Sequence, residues 1–372
     1  MIPVFDPDIG EEEIAAVVSA LRRKEISGSF GRSIPEFEER FAAYCGCKYG
    51  VAVTSGTTAL HLAVAALDLP EGSEILMSAS TNIASGLAAY HNGSIPVGVD
   101  SEETTWNLNL DLIEDLITPA TRAIMPVHLF GHPVDMDALG RLALKHDLYV
   151  IEDCAEAHGA SCRGQIVGSF GDMGCFSFYA NKLVTTGEGG MIVTNDMCLV
   201  ERLRLLRNLG FTNPRFRHEV AGYNFRLTAF QAAMGVVQVE KLSLVIEAKR
   251  RMAKKYGEVL GEIPGLRLPV EAAWARHVYW MYGVVVDSEF GVSRDELAGE
   301  LSRRGIETRT FFCPMNAQPC FGSMDGFRAV PTPVADMLWQ RGFYLPSSHT
   351  LTGGQIEGIG SAIAEIQQGS CV

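Results

Sequence analysis

The sequence predicts an α/β protein in which a large domain with a mostly parallel sheet flanked by helices is followed by a smaller C-terminal α+β domain. Three observations carry this prediction. Between about residues 50 and 195, short apolar runs rich in β-branched residues alternate with stretches of helical period, the βαβ signature of a parallel sheet. Past Asn195 the texture changes to long helical segments and then to a mixed strand and helix pattern. At 372 residues the chain also exceeds what a single compact core usually holds. The expected division is a large domain over residues 1–240 and a small one over 241–372.

The predicted strands of the large domain are residues 50–54, 74–77, 95–99, 123–128, 149–152, 175–177 and 191–194. Residues 58–66, 110–117 and 137–145 have the helical period that crossovers between parallel strands require. Longer helices are expected at 199–208 and 227–251, the second broken near Leu242-Ser243, and they suit a connection between two domains. After Pro264 the pattern gives a strand at 279–286, a helix at 293–304 and a last helix near 354–367. The sequence contains no internal repeat and no low-complexity tract.

Composition excludes some classes of function. Hydrophobic residues at 47% and charged residues at 20% describe an ordinary globular chain. Thirty-one basic against 44 acidic side chains give a net charge of −13, which disfavours nucleic acid as a partner. The nine cysteines form no framework of spacings and read as reduced thiols. Met1-Ile2-Pro3-Val4-Phe5-Asp6 carries no leader signature, and the apolar runs fall short of the roughly 18 residues that cross a bilayer. The expectation is a cytoplasmic protein with no membrane partner.

Chemistry is sought at the C-terminal ends of the strands, where α/β sheets place ligands. Tyr149-Val150-Ile151-Glu152-Asp153 ends a buried strand on two carboxylates, a costly place for charge without a partner. Asp153 suits a cationic ring nitrogen; taken alone, an aspartate at a strand end is more often a helix cap or a metal ligand. Lys182 lies between the aromatic run Phe176-Ser177-Phe178-Tyr179 and the turn Gly187-Glu188-Gly189-Gly190, where burial would make its amine a usable nucleophile. The plain alternative is a surface lysine with its stem on the core. Ser55-Gly56-Thr57-Thr58 opens a helix and presents free amides to a phosphate, or else simply caps that helix. His61, His128 and His277 lack metal spacing and are read as structural, with no metal expected.

With Ser55-Gly56-Thr57-Thr58, Asp153 and Lys182 in this order, the chain resembles the sugar aminotransferases of the DegT/DnrJ/EryC1/StrS family, which have the pyridoxal-phosphate (PLP) aminotransferase fold of type I. Gly222-Tyr223-Asn224-Phe225-Arg226-Leu227-Thr228 adds a fourth ordered motif, and the resemblance covers nearly the whole chain. It implies that Lys182 carries PLP covalently and serves as proton shuttle, and that Asp153 pairs with the ring nitrogen. It also places Glu156 near the ring hydroxyl and has Gly56, Thr57 and Ser177 bind the phosphate. By the same resemblance, Asn224 reaches the phosphate of a neighbouring subunit, so a homodimer with shared sites is expected. L-glutamate would load the cofactor as pyridoxamine phosphate, and the amine would pass to a nucleotide-linked keto sugar.

Ile124-Met125-Pro126-Val127-His128-Leu129 and Arg276-His277-Val278-Tyr279-Trp280-Met281-Tyr282 resemble most the branch of the family that forms GDP-perosamine for surface polysaccharide from GDP-4-keto-6-deoxy-D-mannose. Arg32 and the segment 309–316 are the implied contacts to the nucleotide-sugar. Asn82 stands where relatives stack an aromatic on the cofactor, and Cys313 and Asn316 stand where perosamine-forming relatives carry histidines. These departures keep open an aminotransferase for another keto sugar, dTDP- or UDP-linked and aminated at C3 or C4, or for a cyclitol ketone. A PLP-dependent sugar dehydratase of this scaffold would replace Lys182 by histidine, and a retired binding protein would lose Lys182 or Asp153. No GxGxxG follows the first strand, as a nicotinamide dehydrogenase requires.

Overall fold

The computed structural model describes residues 1–214, 216–324 and 326–369. Its centre is a seven-stranded sheet made of β1 (Tyr49–Val53), β2 (Glu74–Ser78), β3 (Ile95–Val99), β4 (Thr121–Met125), β5 (Tyr149–Asp153), β6 (Met173–Ser177) and β7 (Gly190–Thr194). The strand order is β1-β7-β6-β5-β4-β2-β3. β7 runs antiparallel to both β6 and β1, while the other pairs are parallel. β2, β6 and β7 are buried along their whole length, as strands covered on both faces must be. One face packs on helix α1 (Gly56–Leu67) and the helix Met197–Arg207 through Leu60, Leu62, Val200 and Leu203. The other packs on Phe37 and Phe41 of the helix Ser33–Cys45 and on Leu242 and Ile246 of the helix Ala229–Leu260.

The second sheet has four strands, all antiparallel, in the order Leu266–Arg267, Tyr282–Val286, Gly342–Leu345, Arg309–Thr310. Its core joins Leu297, Leu301, Ile359 and Ile363 to Met252, Tyr256 and Leu260. The helix Ala229–Leu260 therefore supplies side chains to both cores. It runs unbroken through Leu242-Ser243, where the sequence led us to expect a break. No glycine or proline stands there, and Leu242 is buried while Ser243 faces outward, as an ordinary helical turn allows. By length and composition this helix is also apolar enough to cross a membrane, yet it carries the buried Lys249, whose Nζ donates to the carbonyl oxygens of Trp280 (2.8 Å) and Ser347.

Other boundaries moved for local reasons. The strand expected at 123–128 stops at Met125 because Pro126 has no N–H for the ladder. The strand expected at 279–286 begins at Tyr282, since Tyr279 sits at φ 49°, outside strand geometry. Residues 110–117 form a 3₁₀ turn, Leu110–Leu112, and one α-turn, Ile113–Leu116. An N-terminal strap crosses between the two cores. Ile2 N–H donates to Gly305 O at 2.7 Å, Val4 N–H to a carboxylate oxygen of Glu307 at 3.0 Å, and Gln238 Nε2 donates to Asp8 O at 3.2 Å.

Candidate active site

Side chains alternate across a strand, so Glu152 and Asp153 at the end of β5 face opposite sides. Glu152 is fully buried and accepts from the amides of Gly168 (2.7 Å), Phe170 (2.8 Å) and Gly171 (2.8 Å). His128 Nδ1 accepts from Val134 N–H at 3.0 Å, so its Nε2 carries the proton and donates to Glu152 at 3.2 Å. With Cys154 these two side chains bring their polar atoms within 4.8 Å of one another. Glu152 has its donors already and burial keeps the Cys154 thiol protonated, so the trio is a structural network. His61 and His277 are also held neutral by burial, and His277 Nδ1 accepts from Tyr279 N–H at 3.0 Å.

Asp153 faces a cavity of about 330 Å³. Its Oδ2 accepts from Ser85 Oγ at 2.8 Å and its Oδ1 from Ala155 N–H at 3.1 Å. Burial pushes its carboxyl above the ordinary range, and those two donors only partly oppose the shift. Glu156, on the turn after β5, accepts from Phe130 N–H at 2.8 Å and is also pushed up by burial, against the pull of the Lys182 charge.

Lys182 sits on the connection between the antiparallel strands β6 and β7. The residue is half-buried, with its amine end enclosed. Burial lowers the amine's pKa, and the carboxylates Glu156 and Asp153 oppose that shift. Its Nζ lies 3.7 Å from the centre of the Trp280 ring.

At the cavity's other end α1 begins. Ser55 caps it by accepting from Thr58 N–H at 3.1 Å, while Thr58 Oγ1 accepts from Ser55 N–H at 2.9 Å. This is the capping role that the sequence left open, and it leaves Gly56 and Thr57, the first helical residues, without intrahelical acceptors. A Cβ on Gly56 would lie 2.6 Å from Ser177 Cβ, so only glycine lets α1 come this close to the end of β6. The result is a cup of Ser55, Gly56, Thr57 and Ser177 into which the first amides of α1 point, the kind of helix start that suits an anion.

The structure thus brings Lys182, Asp153, Glu156, Gly56, Thr57, Ser177 and Asn82 around one cavity. Asn82 is exposed at its wall, where Oδ1 accepts from Ala84 N–H at 3.1 Å. Four other sequence-predicted residues lie elsewhere in the protomer. Arg32 lines a separate groove with Ser33 and Glu36. The Asn316 side-chain amide donates to Val330 O, and its Oδ1 is directed at Gly98, so the side chain turns away from the cavity. Cys313 is half-buried, with its thiol 3.8 Å from Pro314 O. Asn224 is exposed and bridges to Asn208.

Residues that sequence reasoning missed include Ser85, Trp280 and Tyr344, whereas Arg309 and Phe312 of the segment 309–316 do line the cavity. Trp280, Arg309 and Phe312 lie inside stretches already singled out for their resemblance. Ser85 and Tyr344 gave no signal, because the helix Ala84–Tyr90 and the strand Gly342–Leu345 are too short to show a period.

Comparison with known proteins returns one consistent answer. The family model described as "DegT/DnrJ/EryC1/StrS aminotransferase family" matches residues 7–364. GDP-perosamine synthase of Caulobacter vibrioides is 40% identical over 368 residues, covering 98% of each chain. The dTDP-3-amino-3,4,6-trideoxy-alpha-D-glucose transaminase of Streptomyces venezuelae is 39% identical over 325 residues, covering 86% of this chain and 84% of the relative. The crystal structure of S. venezuelae DesV superposes with a TM-score of 0.89 at 37% identity, covering 96% of this chain and 94% of that one.

Proposed function

The chain belongs to the DegT/DnrJ/EryC1/StrS aminotransferase family and is a PLP-dependent sugar aminotransferase, and from that premise we propose that it moves the amino group of L-glutamate onto GDP-4-keto-6-deoxy-D-mannose to give GDP-perosamine. The observation that carries the chemistry is the single cavity holding Lys182, Asp153 and the cup at the start of α1. The cavity fits the cofactor at both ends. Asp153 is a buried carboxylate with no cation within hydrogen-bonding distance among the described residues, and the free amides of Gly56 and Thr57 with Ser177 suit a phosphate. The GDP-sugar rests on the relatives named GDP-perosamine synthase, three of which are 35% to 40% identical to this chain.

Bound pyridoxal phosphate supplies the electron sink that allows a proton to leave carbon beside nitrogen. Asp153 keeps the ring nitrogen protonated and so strengthens that sink. Glu156 faces the ring hydroxyl. Gly56, Thr57 and Ser177 hold the phosphate, with Asn224 of a second subunit completing the cup in a homodimer. Lys182 would hold the cofactor and, once freed from it, would take the proton from the amino donor's Cα as a base and deliver it as an acid to C4′ of the cofactor, then in the second half move a proton from C4′ to the sugar carbon that bears the nitrogen. Its lowered basicity makes the amine easier to use in both roles. Residues 1–240 form the large domain and 241–372 the small one, and the enzyme works in the cytoplasm.

A second reading has specific support: the 39% identical Streptomyces transaminase is named for a dTDP-linked 3-amino sugar, and Asn82, Cys313 and Asn316 depart from the perosamine-forming pattern. The test is an absorbance spectrum of the purified protein before and after L-glutamate, then a screen of GDP- and dTDP-linked 4-keto-6-deoxy sugars with mass detection. A near-visible band lost on glutamate addition, and an amino sugar formed from the GDP compound alone, are expected. A product from another ketone alone would overturn the substrate, and no band after reconstitution would overturn the function.

A further inference from the structure

We propose that Trp280 is the positioning residue for Lys182: its ring face receives the lysine's ammonium group whenever the amine is not bonded to the cofactor, and so fixes where that amine waits. The inference rests on the reading of Lys182 given above. The Nζ lies 3.7 Å from the ring centre, well inside the roughly 6 Å over which a cation is attracted to an indole face. The ring is buried and its Nε1–H donates to Asn181 O at 2.7 Å. Asn181 immediately precedes Lys182, so the ring is tied to the turn whose lysine it covers. The backbone is held as well, because Trp280 O accepts from Nζ of the buried Lys249 at 2.8 Å, and the same Nζ binds Ser347 O.

Other groups facing Lys182 compete poorly for the amine. Asp153 and Glu156 attract it, but on the reading above both face the cofactor ring once it is bound. His158, packed among Phe41, Phe176 and Phe178, is held neutral, with burial bringing it down to about 3. Glu188, Arg309 and Tyr344 stand around the cavity wall. Behind the lysine stem are Asp8, Lys241 and His349, with Asp8 and His349 paired to each other and Lys241 to Glu12 and Glu13. Among the described residues, the indole face is the surface closest packed on the amine that favours its charged form and stays in place when the cofactor occupies Asp153 and Glu156.

The test uses cofactor-free protein and follows covalent capture of added pyridoxal phosphate by absorbance across pH, which reports the uncharged fraction of Lys182 without turnover. Trp280→Leu removes a stabiliser of the cation, so its capture midpoint should move to lower pH by about 0.5–1 unit. Trp280→Phe keeps a ring face and should return the midpoint towards that of the wild type, while loss of the Asn181 tether slows capture about 2–5-fold. An unchanged midpoint and rate in Trp280→Leu would overturn the proposal. Should that variant show no cooperative unfolding, Trp280→Phe decides, and an unchanged capture rate overturns it. Lys182→Ala separates the two inferences. Persistent capture there removes the role of Lys182 and this proposal together, whereas lost capture there with silent Trp280 variants removes this proposal alone.

Discussion

Glu152 and Asp153 are chain neighbours, equally buried, at the end of one strand, and the structure surrounds them in opposite ways. Glu152 receives three backbone amides and an imidazole N–H, and its bonds pin the loop from Gly168 to Gly171 against β5. Asp153 receives one hydroxyl and one amide, and burial raises its carboxyl above the ordinary range. A buried carboxylate whose lone pairs are filled from the backbone serves the fold. One left short of donors beside a cavity is arranged for a charge that arrives from outside.

Changes on the cavity side should act on chemistry. Lys182→Ala is expected to lower turnover by at least about 10³-fold while the unfolding midpoint stays within a few degrees. Retained turnover in steady-state assays would break the comparison at its chemical end. Asp153→Asn should reduce turnover by about 10²-fold or more without loss of stability, because it removes an uncompensated buried charge. Glu152→Ala should do the reverse, costing about 3–5 kcal/mol in denaturant unfolding, with turnover per folded molecule nearly kept. Equal stability losses in these two variants would erase the distinction.

A smaller effect is expected at the edge of the site. Asn224→Ala should weaken cofactor retention about 10-fold, seen as faster loss of the bound chromophore on dialysis, since a hydrogen bond to a charged group contributes about 1.5–3 kcal/mol. Unchanged retention in the purified protein would place the whole cup within one subunit.

Lys249 sharpens the comparison with a buried amine that has carbonyl acceptors but no counter-charge among the described residues. Burial lowers its amine to about 7, whereas the unfolded chain holds that proton to about 10.4. Between these values the unfolded state binds more protons, so this group's contribution to stability is present above about pH 10 and is lost as pH falls towards 7. Lys249→Met should flatten the dependence of Tm on pH across that window, and a slope equal to that of the wild type would show that the lysine is neutral throughout or charged throughout.

Much of this was legible in the sequence because the relevant signals are local. The strands of the large sheet announce themselves as apolar runs, and Lys182, Asp153 and the cup at Ser55 lie beside those runs or on the turns that follow them. What stayed hidden depends on distance through space. Ser85 reaches Asp153 from a helix of seven residues, and Tyr344 arrives on an edge of the other sheet. Arg32 and Asn316 sit in stretches that resemble substrate-binding loops, and in the protomer both lie outside the lining of the cavity. The sequence suggested a break at Leu242-Ser243, whereas one continuous helix serves both cores.

The strap near the N-terminus also imposes an order on biosynthesis. Val4 bonds to a residue 303 positions later, and Asp6 accepts from Ser348, 342 positions later. At ribosomal speeds of about 5–20 residues per second, these residues wait roughly 15–70 s before their partners exist. Phe5, Pro7 and Asp8 line the small space behind Lys182, so the rear wall of the lysine's housing is among the last parts to close. A nascent chain can build the large sheet early and still be unable to finish the cavity until its far end has been translated.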